Sequence, residues 1–282
     1  MDFSLPAHRT RSRPTVRLSW RGVFVIAAVA GYLLLTLGIV LRSPVLTLDA
    51  DLFGLNLRHN HSGWKPWVTV VELFGQRGPA NLTFLPFFIW MAWRNRTTRP
   101  LVMLGTSLIL LNLSVGVVKL VIGRLGPRET GNTHDVFVDG NIYPSGHVSN
   151  AVVLYGLIAI LAVNHRKIIA VLAVLLSVAV GLGTVYLDTH WFSDVVGGWF
   201  AGALVLLALP SIMPIAQRWT DSLIARARRR FGHSDVEARA VAQPGGVADV
   251  RGVRIDAPRT EKTRQNEKTR QTETTTPVSS EA

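Results

Sequence analysis

The sequence predicts an all-α integral membrane protein, a six-transmembrane-helix bundle with a disordered C-terminal tail. Three observations carry that prediction. The 282-residue chain is 48% hydrophobic and only 17% charged, with a mean hydropathy of +0.29, whereas a soluble domain usually carries about 25% charged residues. Its apolar residues gather into runs near the length of about 20 that a helix needs to cross a hydrocarbon core of roughly 30 Å. From about Gly232 onward the apolar periodicity stops, and the chain turns polar and Thr-rich, with EKTRQ at residues 261–265 and again at 267–271. Such a segment has too little apolar surface to form a core.

The first span, residues 22–41, is uncharged and bounded by Arg21 and Arg42. It is longer than the apolar region of a signal peptide and lacks an A-x-A-like cleavage site. A second, shorter run covers residues 79–93, and it extends backwards through 67–74 only by accepting Glu72 and Arg77. The third, residues 101–122, is broken only by Lys119, and the remaining three fall at about 148–163, 168–186 and 195–215. The organisation is therefore a basic N-terminal segment (1–21), a membrane domain (22–215), and a basic flank with a disordered tail (216–282). The chain has no cysteine, which excludes disulfides, thiol nucleophiles and cysteine-bound metals.

An even number of spans puts both termini on one side, and Lys and Arg near the span ends choose which side. With the termini inside, the inner segments carry fifteen such residues, among them Arg9, Arg11, Arg94, Arg96, Arg166 and Arg218, against seven outside: Arg42, Arg58, Lys65, Arg77, Lys119, Arg124 and Arg128. The excess predicts cytoplasmic termini. The net charge of +12 is then mostly topological and suited to anionic lipid headgroups, which argues against a nucleic-acid partner.

Three polar clusters interrupt the apolar pattern, all on the outer side of that topology. The first holds Lys119, Arg124 and Arg128 at the end of the third span. Interfacial snorkelling accounts for each cation singly, and an oxyanion cradle accounts for the three together. The second, Tyr143-Pro144-Ser145-Gly146-His147, reads as a loop and an N-cap at Ser145. A helix starting there aims its free N–H groups outward at an anion, with His147 on the first turn as a proton donor. In the third, His190 and Asp194 stand four residues apart. On one helical turn they share a face, so the carboxylate can hold one imidazole nitrogen and make the other a better base or nucleophile. A structural pair at the membrane interface is the alternative.

Taken together, these residues resemble the type 2 phosphatidic acid phosphatase family, whose relatives include vanadium haloperoxidases and bacterial undecaprenyl pyrophosphate phosphatases. The family's motifs read K-x6-R-P, P-S-G-H and S-R-x5-H-x3-D. Residues 144–147 match the second completely, His190 and Asp194 supply the H-x3-D of the third, and the resemblance covers roughly residues 22 to 215. Two positions depart from it. The first-motif arginine falls at Gly126, and the serine and arginine of the third fall at Gly183 and Thr184.

The resemblance implies a metal-independent lipid phosphatase without cofactors, in which His190 attacks phosphorus to form a phosphohistidine and Asp194 orients it. His147 then protonates the leaving oxygen and later activates water. Lys119 and the backbone N–H groups of Ser145 and Gly146 hold the phosphoryl oxygens. Arg124 is the expected main guanidinium, since a helix fraying near Gly123 turns it back towards the site, and Arg128, beyond Gly126 and Pro127, is the second phosphate-binding candidate and the alternative substitute for the missing arginine. A site among headgroups points to a membrane lipid phosphate or diphosphate as substrate. The competing reading is a non-catalytic or weakly active homologue that binds or flips lipid phosphates. A haloperoxidase is disfavoured, because those relatives are soluble.

Overall fold

The computed structural model describes residues 19–241. Among them every regular element is helical: α1 (Trp20–Val40), α2 (Val45–Gly54), α3 (Leu57–Asn60), α4 (Lys65–Leu73), α5 (Arg77–Arg94), α6 (Arg99–Ile122), α7 (Pro127–Thr130), α8 (Gly146–Leu161), α9 (Arg166–Tyr186) and α10 (Phe192–Val241). A 3-10 turn at Ser62–Trp64 links α3 to α4. The chain divides after Ile224, and of the unit that follows only the helical residues up to Val241 are described.

Four helices, α1, α6, α9 and α10, are long and apolar enough to cross a membrane, and α8 is a shorter apolar helix. All six expected runs are thus helical, but two fall short of that length and composition. The run at 67–93 is two helices, because the chain turns between Leu73 and Arg77 and α5 starts afresh there. The basic segment 1–18 lies outside the described residues, as does the expected tail beyond Val241. The stretch between Gly232 and Val241 is helix rather than tail.

Lipid-facing helices carry apolar residues on their outer surface as well as inside. Leu33, Ile109, Leu120 and Val174 are all exposed large apolar side chains, a pattern that a soluble monomer would not tolerate over so wide an area. Inside, Phe88, Leu111, Val115, Leu154, Leu157 and Leu209 form the main core from α5, α6, α8 and α10.

Helix α8 is the hub, packing against α5, α6 and α9, and against α10 through glycines. A Cβ on Gly198 would meet Ser145 O at 2.8 Å, and one on Gly202 would meet Val152 Cβ at 2.7 Å. Two small residues four apart bring the helix backbones together. At 16 residues, α8 is about 24 Å long, short of a hydrocarbon core of roughly 30 Å.

Candidate active site

The first cluster begins where α6 ends. Gly123 adopts φ 52° and closes the helix, its N–H donating to Lys119 O, a left-handed geometry that favours glycine. The chain then doubles back, and Phe137, Val138 and Ile142 donate backbone bonds to Ile122, Gly123 and Arg124. Gly140 permits this contact, since a Cβ there would lie 2.1 Å from the Arg124 carbonyl.

Arg124 is thereby enclosed and 0% exposed. Its Nη1 donates to Asp194 Oδ1 at 2.7 Å and to Ser193 Oγ at 2.7 Å, and its Nη2 donates to Asp49 Oδ2 at 2.8 Å. Its Cζ lies 5.6 Å from the Trp191 ring centroid. This departs from the expected phosphate-holding role: two buried carboxylates outcompete a solvent-facing position for a fixed planar fork. Asp49, on α2, also accepts from the Ser193 backbone N–H. Burial pushes its carboxyl up from the usual carboxylate range, against the pull of the Arg124 charge and the hydrogen bonds from Arg124 and Ser193.

Ser145 caps α8 as expected, its hydroxyl accepting from the Val148 N–H. Its own N–H donates to the Asp194 backbone carbonyl at 2.9 Å, so it is not free for an anion, and it ties the second cluster to the third. The N–H groups of Gly146 and His147, in the first turn, have no intrahelical acceptor.

His147 and His190 meet edge to face, with ring centroids 5.6 Å apart. Each histidine has a carboxylate beside it. His190 Nδ1 lies 3.7 Å from Asp194 Oδ2, and His147 Nε2 lies 3.9 Å from Glu72 Oε1. Both separations exceed a hydrogen bond, and His190 Nδ1, buried, has no hydrogen-bond partner. Such contacts commonly tighten when ligand binds. Asp194 itself is held by the Trp191 N–H at 2.9 Å and by Arg124.

Lys119 Nζ donates to the Asn141 carbonyl. Arg128 points elsewhere, its Nε donating to Leu187 O at 3.0 Å, next to Asp188, whose carboxyl burial raises against the opposing charges of Arg58 and Arg128. Thr184, at the departed third-motif position, is buried with its hydroxyl on Gly181 O at 2.7 Å. Among the described residues, no three His, Asp or Glu side chains converge as metal ligands would.

The structure adds residues that sequence reasoning missed. Asp49 and Ser193 complete the Arg124 network, and no local pattern marks them. Glu72 and Arg77 carried a readable signal, since charges within an apolar run are functional by default. They flank the α4–α5 turn, and a Cβ on Gly146 would lie 3.5 Å from Arg77 Nη2.

The fold and site define a multi-pass helical membrane protein with a histidine pair, each histidine near a carboxylate, and cations close by. Residues 100–218 match the PAP2 superfamily, in agreement with the resemblance of the motifs. Phosphatidylglycerophosphatase B of Bacillus subtilis (strain 168) is 37% identical over 70 residues, covering 22% of this chain and 34% of that protein. The chain therefore aligns with about a third of the length of that relative. The crystal structure of a transmembrane PAP2 type phosphatidylglycerolphosphate phosphatase from Bacillus subtilis matches with a TM-score of 0.59 at 23% identity, over 67% of this chain and 94% of the other. That match is one of fold.

Proposed function

We propose that this protein is a phosphatase acting on a lipid-linked phosphate or diphosphate at the extracytoplasmic face through a phosphohistidine. The observation that carries the proposal is the face-to-edge pair His147 and His190, 5.6 Å apart, one ring on a helix N-terminus and the other beside Asp194. Phosphoryl transfer needs in-line positioning and charge stabilisation above all. Lys119 and the N–H groups of Gly146 and His147 supply charge and donors for the non-bridging oxygens.

In the first step an unprotonated His190 nitrogen forms a bond to phosphorus as the bond to the lipid oxygen breaks, and His147 gives that oxygen its proton. In the second, His147 takes a proton from water, whose oxygen displaces His190 and releases inorganic phosphate. Asp194 orients His190, and Arg124 holds Asp194 in place. Phosphatidic acid, phosphatidylglycerophosphate and polyprenyl diphosphates all present the required group, and the name of the Bacillus subtilis relative supports a glycerophospholipid among them.

The surrounding architecture in this reading is six spans, with α5 and α8 completing the four longer helices, and with both termini cytoplasmic. The Lys and Arg distribution supports that orientation. A reporter inserted near Asn132 is expected to score extracytoplasmic and one fused after Ile215 cytoplasmic, and the opposite pattern overturns the assigned face. Phosphate release from a panel of lipid phosphates, comparing wild type with His190→Ala, tests the activity. Binding without release by wild type favours instead the lipid-binding homologue, a reading that the absence of arginine at positions 126 and 184 supports.

A further inference from the structure

We infer that Arg77, at the start of α5, binds the phosphoryl oxygens of the substrate in place of the arginines missing at Gly126 and Thr184; the inference rests on the phosphatase reading above. Neither of those positions offers a cation. Gly126 donates its N–H to Glu129 Oε2 at 2.8 Å, and Thr184, within α9, is buried with its hydroxyl turned back on Gly181 O. The other nearby guanidiniums are committed, Arg124 between Asp49 and Asp194 and Arg128 to Leu187 O.

Arg77 is placed differently. Its Nη2 lies 3.5 Å from the point that a Gly146 Cβ would occupy, so the guanidinium sits over the first turn of α8, beside the N–H groups of Gly146 and His147. Its Nη1 donates to Asn112 Oδ1 on α6. Among the described residues, neither Nη2 nor Nε has an acceptor, and no carboxylate pairs with it. Two adjacent donors in a plane match two oxygens of a phosphoryl group.

The backbone beneath it is pinned to α8. Asn150, fully buried, donates to Gly75 O at 3.1 Å; Tyr155 donates its hydroxyl to Phe74 O at 2.8 Å; and Asn81 Nδ2 bridges Arg77 O at 2.7 Å and Asn150 Oδ1 at 3.1 Å. These contacts hold the α4–α5 turn, with Glu72 and Arg77, against His147.

The test uses the full-length protein in detergent, as wild type, Arg77→Ala, Arg77→Lys and His190→Ala, with two readouts: phosphate release from lipid phosphates and direct binding of inorganic vanadate. Arg77→Ala should lower kcat/KM by about 30- to 1000-fold, the effect of losing one charge-assisted transition-state contact, and should weaken vanadate binding. Arg77→Lys should recover only part of either. Added guanidinium ion should partly restore Arg77→Ala and leave His190→Ala inactive, a rescue that a purely structural arginine does not show. If Arg77→Ala does not fold, Arg77→Lys carries the same comparison. Turnover and vanadate binding at the wild-type level in a folded Arg77 variant overturn the inference. If wild type releases no phosphate from any lipid, the phosphatase reading falls, and vanadate binding alone decides for Arg77: weakened by the substitution supports the site, while unchanged binding or none in wild type overturns it.

Discussion

Replacing Arg124 with Met separates a clamp on Asp194 from a ligand of the substrate. Arg124 lies 2.8 Å from Asp49 and 2.7 Å from Asp194, and all three side chains are 0% exposed. Without the guanidinium, two carboxylates share a buried site with no counter-charge. Removing one partner of a buried ion pair costs about 3–5 kcal/mol. At about 2–4 °C per kcal/mol for a protein of this size, the Tm in detergent should fall by roughly 6–20 °C. Adding Asp49→Leu to Arg124→Met removes one stranded carboxylate and should return part of that loss, because an apolar replacement of a buried pair is often neutral. Thermal unfolding followed by tryptophan fluorescence suits the question, since Trp191 stacks on Arg124. An Arg124→Met protein with a Tm within about 2 °C of wild type, no more than the shift of about one kcal/mol, but with much weaker vanadate binding, would refute the clamp and return Arg124 to the phosphate.

Three further outcomes follow from the same geometry. His190→Ala should abolish phosphate release whereas Asp194→Asn should only reduce it, since one removes the proposed nucleophile and the other its proposed orienting partner; substantial turnover by folded His190→Ala eliminates the phosphohistidine step. Gly198→Ala places a methyl 2.8 Å from Ser145 O and should push α8 away from α10, lowering kcat by about ten- to a hundredfold, because catalytic groups misplaced by about 1 Å lose that much; a variant with wild-type kcat shows that the close approach is not needed. Because burial raises the Asp49 pKa, its favourable contribution to the fold is complete at pH below its unfolded value and is lost as pH rises through its folded one. Asp49→Asn should therefore gain stability relative to wild type as the pH is raised from acid towards neutral, and parallel Tm-against-pH curves for the two proteins contradict it.

The features legible in the sequence are those contained within a turn or two of chain. An apolar run declares a membrane helix by its own length, Ser145 declares a helix start by its type, and the four-residue spacing of His190 and Asp194 puts them on one side of a turn wherever that turn is packed. The end of α6 at Gly123 belongs to the same class, since a left-handed residue there stops the helix locally. What the sequence left open was the destination of each long cation. Arg124 follows Asp49, 75 residues earlier in the chain, and turns inward because residues 137–142 fold over it. Glu72 comes near His147 and Arg77 near Gly146 because Asn150, Tyr155 and Asn81 pin the α4–α5 turn to α8. A flexible side chain on four or more rotatable bonds takes its direction from whichever opposite charge or acceptor the helix packing brings near, and that packing joins residues that no local spacing relates.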